Sequence, residues 1–571
     1  MATYTVRTAP TGDDALIAFA PLMRTLLGAR GITTAADAER FLSPHWERDT
    51  HDPWLMRDMD RAVERIERAM RAHERIALWS DYDMDGIPGA VILHDLFRAL
   101  GYADTVHHTP HRNRDGFGLN RHGLDALKAD GVSLVITIDC GIGDVEHAAY
   151  ANEIGLDTII TDHHIPGDTL PPAYAILNPK RIDCAYPEKM LCGAGVAFKL
   201  AQALLDHVRH AAIVSTLPAP GWEKWLLDMA GMATIADMVP LTGENRVLAH
   251  YGLIVLRKSR RAGLQSLLSR ARADQRLLTE DDIGFTIAPR VNAASRMGHA
   301  RDAFRLLTAT DPTEAGALAE ELDRINTERK TVVAVMKREI KHRIASSGEP
   351  KEVIVMGHPD WKPSLLGLVA GGLAEEYARP VFLWGREEGV SIKGSCRSGS
   401  GVSVYDLMHH ARAHLLEYGG HARSGGFSVS HDAVHALEEV LVAAHRHLAS
   451  DHTALERYVD ADLRPEEVTW QLYRTIAQLA PFGEGNPKPL FRFCDVLVSG
   501  VRMFGKGSEH LELTLARGSG DTLKAISFYT TSDAYGMPIA AGDVVTVIAH
   551  LEANAFRGTS ELRLRLVDVV V

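Results

Sequence analysis

The stretch IALWSDYDMDG, residues 76–86, is a short apolar run that breaks into three alternate carboxylates, Asp81, Asp83 and Asp85, and a glycine. It predicts a buried strand followed by an acidic loop. The preceding segment, MRDMDRAVERIERAMRAHER (56–75), repeats apolar positions at helical spacing. The same alternation recurs downstream. VILHDLFRAL (91–100) and VEHAAYANEIG (145–155) have the helical pattern, while VSLVITIDCG (132–141) and DTIITDHH (157–164) have that of strands. Strands alternating with helices imply a parallel α/β sheet, in which ligands bind beyond the C-terminal strand ends. The acidic and histidine clusters fall at that edge.

The rest of the 571 residues is too long for one core, so two to four domains are expected. Residues 312–347, PTEAGALAEELDRINTERKTVVAVMKREIKHRIASS, are helix formers with alternating charge and predict a long connector helix. At EVIVMGHPDW (352–361) a second α/β pattern starts and runs to about residue 450. From LERYVDADL (455–463) a leading helix is expected to give way to short alternating strands. These are LFRFCDVLVSGVRMF, LELTLA, LKAISFY, VVTVIAHLEA and ELRLRLVDVVV, the pattern of a small barrel of the OB class. The domains expected are 1–75, packing on the first sheet; 76–311, the parallel-sheet domain; 312–347, the connector; 348–452, the second α/β domain; and 453–571, the barrel.

Composition excludes little. Apolar residues make up 46% and charged residues 24%, and no segment has the uninterrupted apolar length of a membrane helix. The N-terminus, MATYTVRTAPTGDD, has no apolar core behind a basic start, so a cytoplasmic protein without membrane association is expected. Five cysteines without a CxxC pair suggest neither a disulfide framework nor a zinc ribbon, and read as buried small residues. The net charge of −12 counts against indiscriminate coating of nucleic acid, but leaves room for a local basic channel. Bound divalent cations would also offset part of it.

Four clusters could carry chemistry. Alternate carboxylates at Asp81, Asp83 and Asp85 can converge on a hard cation such as Mg²⁺ or Mn²⁺, although DxDxDG also opens surface turns and calcium loops. No EF-hand glutamate follows. Asp139 stands where a strand meets a glycine turn, a place where a lone aspartate is often only a cap. Asp162, His163 and His164 end a strand, where neighbouring side chains point to opposite faces, so one histidine is expected to bind a metal directly. Asp237 lies inside the apolar run GMATIADMVPL (231–241), where an unpartnered carboxylate is costly.

Taken in order, Asp83 with Asp85, Asp139, Asp162-His163-His164 and Asp237 resemble the four motifs of the DHH/DHHA1 phosphoesterase family. The resemblance is to its RecJ-type members, single-stranded-DNA-specific 5′→3′ exonucleases. It extends through PHRNRDGFGL (110–119), LNPKR (177–181), LCGAGVAFKLAQAL (191–204), TIADMVPLTGENR (234–246), IAPRVNAASRMG (287–298), LLGLVAGGLAEEYARPV (365–381), KGSCRS (393–398), GGHARSGG (419–426) and PFGEGNPKPLF (481–491). It implies two Mn²⁺ or Mg²⁺ ions per site: one held by Asp81, Asp83 and Asp139, the other by Asp85, Asp139, His163 and Asp237, with Asp139 bridging. His164 would then face the scissile phosphate and Asp162 would orient the histidines.

The second domain resembles DHHA1, with Gly419, Gly420 and His421 as its signature. With Lys393, Ser395 and Arg397 these residues would clamp substrate, glycine permitting close backbone approach and arginine gripping phosphate. Arg112, Arg290 and Arg296 are further phosphate-binding candidates, with structural ion pairing as the alternative. Lys362 after Trp361, and Arg423 and Ser424 in GGHARSGG, depart from the family pattern. The implied substrate is single-stranded DNA, with a helicase or single-strand-binding protein as a possible supplier, in repair and recombination. Two other readings remain: a phosphodiesterase of short oligonucleotides or cyclic dinucleotides, and a non-catalytic replication scaffold. The barrel weighs against the first, because a long single strand uses extra stacking and charge. The retained carboxylates weigh against the second.

Overall fold

The alternation of apolar runs and amphipathic segments between residues 56 and 211 builds a five-stranded parallel sheet flanked by helices. The computed structural model describes all residues except 1–3, 8–15, 113, 212–213, 215, 299, 387–391, 400, 450–456, 506, 519, 533–534, 536–537, 557–558 and 571. Its first domain runs α1 (Met59–Arg71), β1 (Arg75–Ser80), α2 (Gly86–Ala99), β2 (Thr105–His108), α3 (Arg121–Ala129), β3 (Val132–Ile138), α4 (Val145–Glu153), β4 (Asp157–Thr161), β5 (Ala175–Leu177), α5 (Gly193–Ala211) and α6 (Leu227–Ala236). The strand order is β2-β1-β3-β4-β5, all parallel. Strand β1 and most of β3 and β4 are buried on both faces, as near-continuous Ile, Leu and Val runs require. The chain steps from β1 to β2 on one side, then crosses back past β1 to lay β3 on its other side. Strand order therefore reverses between β1 and β3, and a crevice opens beyond their C-terminal ends.

Helix α7 (Ala288–Arg296) leads towards α8 (Pro312–Ser347), the long connector, whose start is capped by the Asp311 carboxylate accepting from the Thr313 and Glu314 amides. Its C-terminal half belongs to the next core: Met336, Ile340 and Ile344 pack with Leu365, Leu366, Val369, Val381 and Leu383. That second domain contains β6 (Ile354–Gly357), α9 (Pro363–Tyr377), β7 (Pro380–Arg386), β8 (Ile392–Ser398), α10 (Val404–His410), β9 (Glu417–Gly420) and β10 (Ser424–Val429). Its sheet order is β9-β10-β8-β7-β6, with only β6 and β7 parallel. Alternation along β8 sends Ile392 and Cys396 into one core, with Phe382, Phe427, Val404 and Leu407. Lys393, Ser395 and Arg397 therefore lie on the opposite face, the side of α8 and α9.

A second compact unit comprises residues Met1–His51, Met238–Tyr251 and Glu456–Val571. It is centred on a closed five-stranded barrel of β11 (Phe491–Phe504), β12 (His510–Ala516), β13 (Thr522–Ser527), β14 (Val544–Phe556) and β15 (Thr559–Val570), with β14 also pairing β11. The expected leading helix is Trp470–Ala477, preceded by the short strands Arg457–Val459 and Ala461–Asp462. Residues 1–75 divide between the two units after His51. Only the part from Asp52 onward, including α1, belongs to the unit that contains that sheet. Met23, Leu26, Leu27, Ala38 and Phe41, from helices Pro21–Gly28 and Ala35–Leu42, share the barrel's core with Phe491, Phe493 and Leu513. Arg246 ties the unit together, donating to the carbonyls of Phe41, Leu479 and Ala480. An amphipathic stripe needs a partner, but nothing in its own spacing says which one.

Four cysteines are buried as expected. Cys494, on β11, is instead exposed, because strand alternation in a barrel turns every second residue outward. No helix among the described residues is long and apolar enough to cross a membrane.

Candidate active site

The acidic loop after β1 is held closed at both ends. The Asp81 amide donates to the Ile138 carbonyl of β3 (3.1 Å). Asp83 accepts from the Asp85 and Gly86 amides (2.8 and 3.2 Å), folding the loop into the first turn of α2. A Cβ at Gly86 would stand 2.5 Å from the Asp81 carbonyl oxygen, so this closure requires glycine. Asp139, the first residue past β3, has φ +61°, the left-handed region that an L-residue with a side chain adopts at a cost. Its amide donates to the Thr161 carbonyl. This strained turn is the topological switch point of the sheet.

Around Asp139 three overlapping triads form: Asp81, Asp83 and Asp139; Asp85, His163 and Asp237; and Asp139, His163 and His164. Within each, one ligand-capable atom per residue lies within 4.8 Å of the others. The His163 Nε2 lies 3.1 Å from Asp139, 3.6 Å from Asp85 and 3.7 Å from Asp237. The Asp85 carboxylate also accepts from the Gly193 and Ala194 amides at the start of α5 (2.5 and 2.7 Å), where the helix dipole favours negative charge.

Burial first, and then the neighbouring carboxylates, push Asp81 and Asp139 well above the usual carboxylate range, Asp85 to about 6 and Asp237 to about 9. Burial, then the adjacent His164, holds His163 down to about 3, so its imidazole is neutral. Among the described residues, one buried oxygen each of Asp81 and Asp139 has no hydrogen-bond partner. Like charges packed at such distances, with orphaned oxygens and a neutral imidazole, call for a cation. A set dominated by oxygen donors fits Mg²⁺ or Mn²⁺.

Asp162 is completely buried and does not join these triads. Its carboxylate accepts from the amides of Ile142, His163 and His164 and binds the His164 Nδ1 at 2.8 Å. Burial pulls the His164 imidazole down, but the Asp162 contact outweighs it and the net shift is upward.

The expected phosphate-binding residues divide. Arg112 lies over the Tyr82 ring at 4.8 Å. Arg296 donates to the Ser364 carbonyl of α9, and the Ser364 hydroxyl donates to the Arg296 carbonyl in return. Burial, then the charges of Arg112 and Arg329 and later Arg397, lower Arg296 to about 10, with Asp83 opposing. The Arg397 head lies so close over Gly367 of α9 that a Cβ there would sit 2.8 Å from it. Arg290 is paired with Asp323 at 2.9 Å and donates to the Thr286 carbonyl, the ion pairing that was its structural alternative.

Lys393 is exposed on β8. Gly419 and Ser395 flank Gly426 on adjacent strands, a row without bulk. Gly420 has φ +136° and no room for a Cβ, which forms the turn that presents the exposed His421.

Two charged residues near these groups were not singled out from sequence. The Lys180 ammonium is lowered by burial and raised by Asp237 and Asp162. Its amide donates to Asn178, whose side chain donates to the His164 carbonyl. The segment LNPKR carried that signal. Arg329 sits in the evenly charged connector helix, and nothing in that pattern distinguishes it.

The chain matches the families described as DHH family, N-terminal domain (residues 75–223), DHHA1 domain (350–449) and RecJ OB domain (459–568). It is 35% identical over 554 residues to a single-stranded-DNA-specific exonuclease RecJ of Bacillus subtilis, covering 96% of this chain and 68% of that protein. It is 31% identical to the corresponding protein of Haemophilus influenzae, covering 96% of each. The crystal structure of RecJ in complex with Mn²⁺ from Thermus thermophilus superposes with a TM-score of 0.79 at 30% identity, covering 97% of this chain and 77% of that one. A second structure from that organism contains Mg²⁺, with a TM-score of 0.74.

Proposed function

The chain belongs to the RecJ family and is a metal-dependent exonuclease of single-stranded DNA; from that premise we propose that it removes 5′-terminal nucleotides by two-metal hydrolysis centred on Asp139. The observation that carries this reading is the set of interlocking triads sharing Asp139 and His163 at the switch point of the parallel sheet. Asp81, Asp83 and Asp139 would hold one ion, and Asp85, Asp139, His163 and Asp237 the other. When bound, such a pair supplies Lewis acidity that activates water and neutralises the phosphoryl oxygens.

The chain's own residues do the remainder. Asp162 anchors the His164 Nδ1 and favours the imidazolium form, in which Nε2 also carries a proton and would donate a hydrogen bond to a phosphate oxygen. Lys180, half-buried beside Asp162 and Asp237, adds positive charge on the same side. Arg112, Arg296, Arg329 and Arg397 would bind the phosphate nearest the 5′ end, and Ser395, Gly419 and Gly426 form a floor on which backbone approaches closely. Holding one end in register with the metals makes the reaction exonucleolytic.

The barrel supplies a further surface. Phe504 and Tyr529 meet His510 edge-on at 5.0 and 4.9 Å, and Arg565 lies over Phe528 at 4.1 Å. Tyr529 is 84% exposed, as a base-stacking residue must be. This feature favours polynucleotide over dinucleotide substrates. Single strands would be supplied by a helicase or held by a single-strand-binding protein, with the enzyme working in the cytoplasm.

The test is digestion of 5′-labelled, 3′-labelled, duplex and circular DNA with Mn²⁺. Early release of the 5′ label, with duplex and circles resistant, is expected. Cleavage of circles, or prior release of the 3′ label, would refute the proposed polarity.

A further inference from the structure

Phe117 is a large apolar side chain presented to solvent beside the metal-binding cluster. It lies in the loop between β2 and α3, is 52% exposed, and meets the His164 ring edge-on, with centroids 5.5 Å apart and an interplanar angle of 72°. It is not a frayed core residue. Two positions on, Leu119 is 1% exposed and belongs to the core of the parallel sheet, whereas Phe117 does not.

The loop that carries it is shaped for this presentation. Gly116 and Gly118 both have φ +81°, so the backbone turns sharply on either side of the ring. A Cβ at Gly118 would stand 2.3 Å from the Asp144 carboxylate, and that same carboxylate accepts from the Leu119 amide at 2.7 Å. The loop is thereby tied to the start of α4. A second clamp holds its beginning, where the His111 amide donates to Asp115. The same loop places Arg112 against Tyr82, on the side of Asp81 and Asp83, and Phe117 on the side of His164.

We infer that Phe117 is a base-stacking platform for a nucleotide flanking the scissile phosphate. Every base has a π face, so such a contact is indifferent to sequence, as an enzyme that digests whole strands requires. The arginine cluster can bind phosphate but cannot hold a base. Phe117 would stop the sugar-base unit from rotating while His164 and the carboxylates engage the phosphate, contributing orientation rather than chemistry. The inference rests on the reading of the Asp139 cluster as the hydrolytic centre.

The experiment uses the full chain with Mn²⁺ and 5′-labelled single strands, either intact or carrying one abasic site at the first, second or third nucleotide. Phe117→Ala is expected to lower kcat/KM on intact strands by about ten-fold, within the range of single base–aromatic stacks, while Phe117→Trp stays within about two-fold of wild type. At one abasic position the wild type should lose a similar factor and Phe117→Ala should lose nothing further. If Phe117→Ala costs the same factor on every abasic strand as on the intact one, or Phe117→Trp fails to restore turnover, the stacking role is overturned. An absence of any loss in Phe117→Ala also overturns it. In all those cases the wild type still digests intact strands. If the wild type does not, the hydrolytic reading itself fails, and this inference fails with it.

Discussion

Replacing Gly193 by alanine should disable the site by displacing one carboxylate. Gly193 begins α5 directly beneath Asp139. A Cβ there would lie 2.5 Å from the Asp139 Cβ and 2.8 Å from its Cα and Oδ1, where ordinary contact begins at 3.4 Å. Oδ1 could rotate away, but the Cα and Cβ are fixed by the backbone and cannot. The backbone of the Asp139 turn, already in the left-handed region, or the start of α5 must therefore move by about 0.9 Å, and a misplacement of about 1 Å costs on the order of 100-fold in rate. The Gly193 amide also donates to Asp85, so both proposed ion sites are disturbed together. Gly195, two residues further along the same helix, is the control. Its added Cβ would meet its neighbours at 3.5–3.6 Å, and alanine suits a helix better than glycine by about 0.5–1 kcal/mol. The assay is single-turnover release of the first nucleotide from a 5′-labelled strand in Mn²⁺, with thermal melts to confirm folding. Gly193→Ala should fall about 100-fold and Gly195→Ala should stay within about two-fold of wild type. A folded Gly193→Ala protein within three-fold of Gly195→Ala, by the same estimate of positional sensitivity, would refute the claim that the placement of Asp139 governs the chemistry.

Asp139→Ala removes the carboxylate shared by two triads and should lower hydrolysis by at least about 100-fold while the protein still melts cooperatively; near-wild-type turnover would contradict the assignment of Asp139 as the bridge. Arg397→Ala should reduce kcat/KM by about 10- to 100-fold with Mn²⁺ binding unchanged by calorimetry, because its guanidinium serves the phosphate and not the ions. Tyr529→Ala with Phe528→Ala should weaken binding of long strands more than cleavage of very short ones, and equal losses on both would argue against stacking on the barrel. The stabilisation conferred by Mn²⁺ should grow as pH rises from about 6 to 9. Asp237 and Asp85 have folded values raised to about 9 and about 6, so without metal the folded form binds more protons than the unfolded chain and loses stability as pH rises. Half-buried His107 and His108, held down to about 3 and about 4, act in the opposite direction with or without the ion, so the difference in melting temperature isolates the site. A gain that is flat or shrinks with pH would refute the account.

The reading of the parallel sheet, the connector helix and the barrel needed only local pattern. Continuous apolar runs at β1 and β4, a long charged helix with no glycine or proline after Gly316, and alternating strands near the C-terminus each report one element's own burial. Asp237, at the end of helix α6, was legible because a carboxylate inside an apolar run needs a partner, and the positions of Asp81, Asp83, Asp85, Asp139, Asp162, His163 and His164 for a reason tied to the sheet. In a parallel sheet every strand ends at the same edge, so carboxylates that follow successive strands must meet. Other features depended on which surfaces find each other. The helices before His51 share the barrel core, Arg290 pairs with Asp323 while Arg296 joins Arg112, Arg329 and Arg397, and Phe117 stands exposed beside His164. Periodicity determines that a stripe will be buried or a charge exposed, because that depends on the residue's own helix or strand. The partner across the interface is set by packing between elements distant in sequence, and only the tertiary structure decides it.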